Sequence, residues 1–353
     1  MKKTTQTILV LVVIALVAFA IFYKGGNEKN TLTPIRVGWQ PPWTNQGQIA
    51  MVLKYSNILE LNGLKGEFMP FTYGGPMTEA ALTGEIDVMF AGSQPVINLI
   101  SKDKRWKIVA RMANYRSAIV VPMESPIKDI KDLKGKIVAT AFGSTTHRET
   151  VRILKEAGLD PITMKDVQLK NLDQAEHTGL IQRGKPTDKN WAGIDAISTY
   201  DPTAALVVSK GLARIVKDFE TPAVVAMRED FIQNRRQNVI NFLKSYIEAF
   251  YYYAIHQEQA DSLYATEARI DIDPSLYKDI SAIEPNMRAR SINDVNVALT
   301  EDFQKVLQRD ADLALELKIL KNPLVMTNQI DSTLMNEAVQ GKPTIDGVKL
   351  IHF

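Results

Sequence analysis

Short apolar runs alternate with helical patterns from residue 35 to about residue 220, and this alternation limits the fold more than any other feature. The runs IRVGWQ, GEFMPFTY, IDVMFAG, KIVARMA and SAIVVP have the length and composition of strands. Helical patterns in QIAMVLKYSNILELNGL, GGPMTEAALTGE and SQPVINLISK separate or follow the first three of them. Strands that alternate with helices predict an α/β protein with a largely parallel sheet.

A second cycle of the same kind follows. SPIKDIKDLKGK leads into the strand IVATAF, and GSTTHRETVRILKEAGL is predicted as a loop and an amphipathic helix. VQLKNL and GIDAIST are predicted as strands with a helix between them, and the chain becomes helical after PAVVAM. TGEIDVMFAGSQP (83–95) and WAGIDAISTYDP (191–202) share Gly, Ile-Asp, an apolar strand and a polar loop that ends in Pro. Two lobes of similar construction would produce this internal similarity. The aromatic cluster at 250–253 has helical spacing and is predicted to be mostly core.

The N-terminus carries a segment suited to a membrane. Lys2 and Lys3 precede an uncharged stretch from Thr4 to Tyr23, which is about 30 Å long as a helix and so long enough to cross a bilayer. The segment is either an uncleaved anchor or a cleaved signal peptide with a small-residue site at Ala18-Phe19-Ala20. Both interpretations place the rest of the chain outside the cytoplasm.

Composition excludes several classes of function. The chain has no cysteine, so thiolate metal sites, catalytic thiols and a lipid-attachment cysteine are absent from it. A formal charge of +2 without a basic run gives no indication of a nucleic-acid partner. The histidines show no metal-ligand spacing, and no GxxxxGK[ST] phosphate loop occurs. No metal and no cofactor are expected.

The order of these motifs resembles a known family. YGGPMTEAALTGEIDVMFAGSQP, then SPIKDIKDLKGKIVATAFGSTTH, then EAGLDP and WAGIDAISTYDP are similar to the periplasmic solute-binding proteins of bacterial ABC importers for taurine, alkanesulfonates and nitrate. Relatives that bind thiamine-precursor pyrimidines belong to the same group. The resemblance covers roughly residues 35 to 340.

The resemblance implies a two-lobed α/β fold of the type II periplasmic-binding-protein class that closes on a ligand in the cleft. Lobe one would comprise 34–117 and 221–353, and lobe two 118–220, after a signal or anchor and linker at 1–33. It implies no catalytic activity. The partners would be a small-molecule ligand and a membrane permease with its ATPase, and the protein would be a monomer in the periplasm or on the outer face of the cytoplasmic membrane.

Loops beyond the carboxyl ends of strands hold ligands in open α/β sheets, and several polar loops here follow strands. Trp39 to Gln46 offers two tryptophans for ring stacking or cation–π contact. Gly74-Gly75 permits close backbone approach, and Ser93-Gln94 offers hydroxyl and amide groups at a strand-to-helix turn. The alternatives are packing of a tryptophan under its loop and plain helix capping.

The stretch GSTTH begins a helix whose first amides lack intrahelical acceptors and favour an anion. Thr146 with Glu149 also fits a capping box. Asp201 and the weaker candidate Glu220 are predicted to bind a ligand amine, and a plain Asp-Pro turn is the alternative for Asp201. The complete set of predicted ligand-binding residues is Trp39, Trp43, Asn45, Gln46, Gly74, Gly75, Ser93, Gln94, Ser117, Ser144, Thr145, Thr146, Tyr200, Asp201 and Glu220.

These patterns predict capture of a small sulfonate-type ligand. A thiamine-precursor pyrimidine or nitrate is the alternative within the family. Two further alternatives lie outside the family. A membrane-anchored sensor would need a cytoplasmic signalling domain, for which the short Lys-rich N-terminus leaves no room. An α/β hydrolase would need a GxSxG nucleophile elbow, but the stretch beside His147 reads FGSTT.

Overall fold

The computed structural model describes residues 32–185 and 187–351. The predicted membrane segment at 4–23 and the linker to residue 31 lie outside this part of the chain. Within the described residues, no helix is both long and apolar enough to cross a membrane. From Pro34 onward the chain forms one compact unit.

Eight strands and thirteen α-helices are found in the described residues. The strands are β1 (Thr33–Trp39), β2 (Leu64–Pro70), β3 (Val88–Gly92), β4 (Trp106–Pro122), β5 (Lys136–Thr140), β6 (Val167–Asn171), β7 (Ala196–Tyr200) and β8 (Ala213–Arg228). The helices are α1 (Thr44–Tyr55), α2 (Ile58–Leu61), α3 (Gly74–Thr83), α4 (Ser93–Lys102), α5 (Thr145–Glu156), α6 (Gln174–Gln182), α7 (Thr203–Ser209), α8 (Glu229–Asn234), α9 (Arg236–Ile255), α10 (Gln257–Ala268), α11 (Pro274–Ser281), α12 (Glu301–Glu316) and α13 (Thr333–Gln340).

The strands form one mixed sheet in the order β2-β1-β3-β8-β4-β7-β5-β6. Pairing is parallel between β1 and β3 and among β7, β5 and β6, as the alternating pattern predicted. The centre is antiparallel, because β8 pairs with β3 and β4 and β4 pairs with β7. The α/β prediction is confirmed, but the sheet is mixed rather than largely parallel throughout.

The two central strands are unusually long. β4 has 17 residues and β8 has 16, and they pair along most of their length. KIVARMA and SAIVVP, predicted as two strands, are therefore two halves of β4. The register between β4 and β8 shifts between Arg111 and Asn114. One half of this pair borders β3 and the other half borders β7, so β4 and β8 connect the two ends of the sheet.

Alternating side chains bury both faces of the sheet. In β3, Val88 and Phe90 belong to one apolar cluster, whereas Met89 and Ala91 belong to another. In β5, Val138 and the neighbouring Ala139 likewise belong to two further clusters. The aromatic cluster of α9 is largely buried, since Phe250, Tyr252 and Tyr253 lie in the first cluster and Tyr251 is partly buried against it. The prediction that it is mostly core is confirmed.

Helices begin at or shortly after the carboxyl ends of several strands. α4 begins at the residue after β3, and α5 begins five residues after the end of β5. Residues 41–46, predicted as a loop, are a loop only as far as Trp43, because α1 begins at Thr44. This arrangement brings the starts of α3, α4 and α5 toward one region between the two ends of the sheet.

Candidate functional site

A small cavity lies where these helix starts meet. It encloses about 10 Å3, which is room for at most one water molecule. Its walls come from residues far apart in the chain: Gln40, Trp43, Gly74, Gly92, Pro95, Tyr115, Ser144, Thr145 and Tyr200. None of these side chains carries a formal charge at neutral pH.

Three aromatic rings form one wall of the cavity. The ring centroids of Trp43 and Tyr115 lie 4.3 Å apart, and Tyr200 lies 6.3 Å from Trp43 and 6.1 Å from Tyr115. Burial raises the pKa of both phenols, so both remain neutral. Trp43 Nε1 and the Tyr200 hydroxyl are buried, and neither has a hydrogen-bond partner among the described residues. Buried polar groups are normally satisfied, so these two donors are candidates to bond a ligand in the cavity.

The start of α5 forms the hydroxyl-lined wall. Gly143 turns the chain after β5 with φ of 81°, a left-handed conformation that glycine adopts without strain. Ser144 caps the helix, and its hydroxyl accepts a hydrogen bond from His147 N at 3.0 Å. The capping box predicted for Thr146 and Glu149 is therefore wrong, because the cap lies two residues earlier. Helix geometry leaves the amides of Thr145 and Thr146 without intrahelical acceptors, and the hydroxyl proton of Ser144 remains available to a ligand.

His147 does not act as a base toward Ser144. Its Nδ1 accepts a hydrogen bond from Gly143 N at 3.4 Å, and its ring stacks on Phe142 with a centroid distance of 4.6 Å. Burial lowers the pKa of His147 to about 4, so the imidazole is neutral at pH 7. Its contacts are those of a side chain that supports the helix start.

The start of α4 contacts the start of α5 directly. Gln94 N donates to Thr145 Oγ1 at 3.0 Å. A Cβ atom at Gly92 would lie 2.4 Å from the same Thr145 oxygen and 2.8 Å from the Tyr115 hydroxyl, so only glycine allows this approach. At the start of α3, Gly74 packs against the Pro95 ring, which a Cβ atom would meet at 2.2 Å.

The carboxylates predicted to bind a ligand amine lie outside the cavity wall. Both oxygens of Asp201 accept hydrogen bonds from Arg116, at 2.9 and 3.1 Å, and one also accepts from Ala205 N at 3.1 Å. Glu220 is exposed and borders a separate groove between α5 and α12. Asp201 is therefore already paired with Arg116 of the same chain.

Five of the predicted residues line the cavity, and others lie directly behind the residues that line it. The lining residues among them are Trp43, Gly74, Ser144, Thr145 and Tyr200. Ser93 and Gln94 lie behind the wall, and Thr146 contacts Ser117 through their hydroxyls at 3.0 Å. Four others are placed elsewhere: Trp39 is buried in the core, Asn45 binds Asn114 O, Gln46 holds the backbone of Gln40, and Gly75 lines a neighbouring surface groove.

Sequence reasoning missed four lining residues: Gln40, Gly92, Pro95 and Tyr115. Gln40 directly follows β1, Gly92 is the last residue of β3, and each adjoins a residue predicted to bind the ligand. Their positions at strand ends could therefore have identified them. Tyr115 lies inside β4, where the sequence pattern predicts that an aromatic side chain packs in the core. No group of three or more His, Cys, Asp or Glu side chains in residues 32–185 and 187–351 is arranged to hold a metal ion.

Comparisons with known proteins agree with this architecture. Residues 60–181 match the family described as ABC transporter, phosphonate, periplasmic substrate-binding protein. A protein of Bacillus subtilis (strain 168) named as an aliphatic sulfonates-binding protein is 24% identical over 319 residues, which cover 88% of this chain and 86% of the relative. A protein of the same name from Escherichia coli (strain K12) is 31% identical over 189 residues, or 52% of this chain and 54% of the relative.

Among solved structures, the alkanesulfonate-binding protein SsuA from Xanthomonas axonopodis pv. citri, bound to MOPS, has a TM-score of 0.68 at 18% identity, with 85% of this chain and 98% of that one covered. The chain thus has the periplasmic-binding-protein fold. Its sequence is similar to periplasmic substrate-binding proteins of ABC transporters, including proteins named for aliphatic sulfonates, so the resemblance inferred from its motifs is confirmed.

Proposed function

We propose that this chain is the extracytoplasmic solute-binding component of an ABC importer and that it captures a small sulfonate-type ligand. The relatives named for aliphatic sulfonates support this ligand class. The protein would deliver its ligand unchanged to a membrane permease driven by a cytoplasmic ATPase. It would act as a monomer, attached to the membrane by its N-terminal segment or released after cleavage.

The observation that carries the proposal is the convergence of helix starts on an uncharged, donor-rich cavity. A sulfonate spreads one negative charge over three oxygens and keeps it at every physiological pH, so it needs several donors. The Ser144 hydroxyl and the amides of Thr145 and Thr146 supply donors where the helix dipole favours an anion. Trp43 Nε1 and the Tyr200 hydroxyl, for which the described part of the chain offers no partner, supply two more.

The rest of the ligand would lie against the aromatic wall of Trp43, Tyr115 and Tyr200. These rings suit a short alkyl chain, and they also suit the ammonium of taurine through cation–π contact. Because Arg116 already engages Asp201, the aromatic wall is a better partner for an ammonium than that carboxylate. A pyrimidine ring that stacks on Trp43, or nitrate, remains the alternative ligand.

The lobe assignment of 34–117 with 221–353, and 118–220, fits a closing mechanism. The lining residues come from both groups: Trp43, Gly74 and Gly92 from the first, and Ser144 and Tyr200 from the second. A cavity of about 10 Å3 is too small to admit a sulfonate. The ligand would therefore enter an open form, and its contacts with both lobes would favour the closed form.

A thermal-shift panel on the purified full chain tests the proposal. We expect taurine and short alkanesulfonates to raise the unfolding temperature, since ligand at 100 times its dissociation constant stabilises a protein by about 2.7 kcal/mol. Nitrate, pyrimidines and amino acids complete the panel. A shift with pyrimidines alone would assign the alternative ligand, and no shift with any solute would reject the binding function. Unchanged ligand recovered after incubation is the expected result for a binding protein rather than an enzyme.

A further inference from the structure

A fully buried arginine lies between the ligand cavity and the C-terminal helices. Arg148, in the first turns of α5, is 0% exposed. Its guanidinium contacts a carboxylate oxygen of Asp310 in α12 at 2.9 Å and also bonds its neighbour Glu149 at 2.9 Å. The same group donates to Ser93 Oγ and to Gln94 Oε1, each at 3.3 Å. One side chain therefore joins α5 to both α4 and α12.

These contacts form a closed chain of interactions behind the cavity wall. Ser93 Oγ also donates to Asp310, at 2.7 Å. Gln94, held by Arg148 through its side chain, donates its backbone N–H to Thr145, which lines the cavity. A shift of Arg148 would thus displace the start of α4 and the hydroxyl wall together.

The charges of this cluster balance one another in this structure. Arg148 and Asp310 are both nearly inaccessible to water, and Arg152 neutralises the second oxygen of Glu149 at 2.7 Å. A buried ion pair adds little net stability compared with apolar side chains, but loss of one partner leaves a costly buried charge. Such a pair can specify one arrangement over another, and separation of α5 from α12 would expose both charges to water.

We propose that Arg148 is a positioning residue that couples the ligand cavity to lobe closure through its ion pair with Asp310. Arg148 belongs to residues 118–220, whereas Ser93, Gln94 and Asp310 belong to the other predicted lobe. The pair therefore holds the lobes together before any ligand arrives and fixes the residues that receive it. This inference rests on the proposed function for its lobe assignment and for its ligand.

The test measures the distance between the lobes in the ligand-free full chain. Because the chain has no cysteine, Met164→Cys and Val325→Cys give one specific spin-label pair, and both side chains are at least half exposed. Distances are compared by pulsed electron resonance in the parent chain, in Arg148→Met and in the near-isosteric Asp310→Asn. We expect the share of long distances to rise several-fold in both variants, because opening hydrates the charge that is left behind.

The matched control is Lys155→Met. Lys155 and Glu316 also join α5 to α12, at 2.9 Å, but Lys155 is partly exposed and Glu316 is exposed, and such surface pairs contribute little. We expect its distance distribution to match that of the parent chain. An unchanged distribution in folded Asp310→Asn would overturn the proposal, even if Arg148→Met failed to fold.

Binding provides a second readout. We expect the affinity for taurine or ethanesulfonate to fall at least tenfold in Asp310→Asn, mainly through faster dissociation, while Lys155→Met binds normally. The two proposals fail in distinguishable ways. Longer distances without binding of any sulfonate would reject the ligand class alone, whereas sulfonate binding with unchanged distances would reject the role of Arg148 alone.

Discussion

The hydroxyl of Ser144 can accept one hydrogen bond and donate another at the same time. It accepts a hydrogen bond from His147 N and still holds a proton that it can donate. The same division applies to Thr145, whose oxygen accepts from Gln94 N. Hydroxyls that are fixed through their lone pairs point their protons in defined directions, which would favour the anion proposed for this cavity.

At the same scale, Asp261 is a buried carboxylate that forms no ion pair within residues 32–185 and 187–351. Its Oδ1 accepts hydrogen bonds from Gln48 Nε2 and from the Tyr253 hydroxyl, and burial raises its pKa to about 6. The folded state therefore holds the proton more tightly than the unfolded state, whose pKa is near 3.8. Stability from this group is present below pH 3.8 and is lost as the pH rises through 6.

Asp261→Asn should remove this pH dependence. Asparagine keeps the acceptor oxygen without the buried charge, so we expect the variant to gain up to roughly 3 kcal/mol in the free energy of unfolding at pH 8. At pH 4 the two proteins should differ little. Denaturant titrations at both values measure this. An equal difference at pH 4 and pH 8 would show that Asp261 does not titrate between them.

At the scale of elements, α1 packs against the ring of Tyr264, which fills the space beside Gly47 that a side chain would otherwise occupy. A Cβ atom at Gly47 would lie 2.2 Å from the Tyr264 ring, whose hydroxyl donates to Pro41 O at 2.7 Å. Tyr264 thus supports both the helix and the loop that carries Trp43. A glycine inside a helix is otherwise unfavourable, so this contact explains its presence.

Gly47→Ala should destabilise the protein by up to about 2 kcal/mol, because a gain of about 1 kcal/mol in helix propensity offsets part of the overpacking cost of about 1–3 kcal/mol. We also expect weaker ligand binding, since Trp43 would move with its loop. Gly179→Ala in α6 is the matched control, because the nearest atom to its Cβ would be at an ordinary 3.4 Å. Equal thermal stability of the two variants would contradict the supporting role of Tyr264.

Most helices and strands could be predicted from local patterns, and the exceptions have physical causes. Gly74 and Ser93 begin helices as predicted, because strand ends and helix starts leave local signals. β4 was predicted as two strands because the polar residues Asn114 and Arg116 interrupt its apolar pattern, and pairing with β8 overrides that interruption.

At the scale of the whole molecule, the ordered motifs were sufficient for the fold class and the protein class. They were not sufficient to predict which charged side chains near the site pair with each other. Asp201 was predicted to meet a ligand, yet it pairs with Arg116, and Arg148 pairs with Asp310 of a distant helix. Such pairs depend on which segments meet in three dimensions, and no local spacing encodes them. The lobe boundaries stay a prediction.

The central claim is that a small sulfonate binds at the start of α5 in a cavity shared by both predicted lobes. Isothermal titration of ethanesulfonate into the full chain, compared with Ser144→Ala/Thr145→Ala, tests it most directly. We predict one site per chain and at least tenfold weaker binding in the double variant, whose thermal unfolding should show that its fold is intact. Equal affinity in the two proteins, or no heat of binding in either, would contradict the claim.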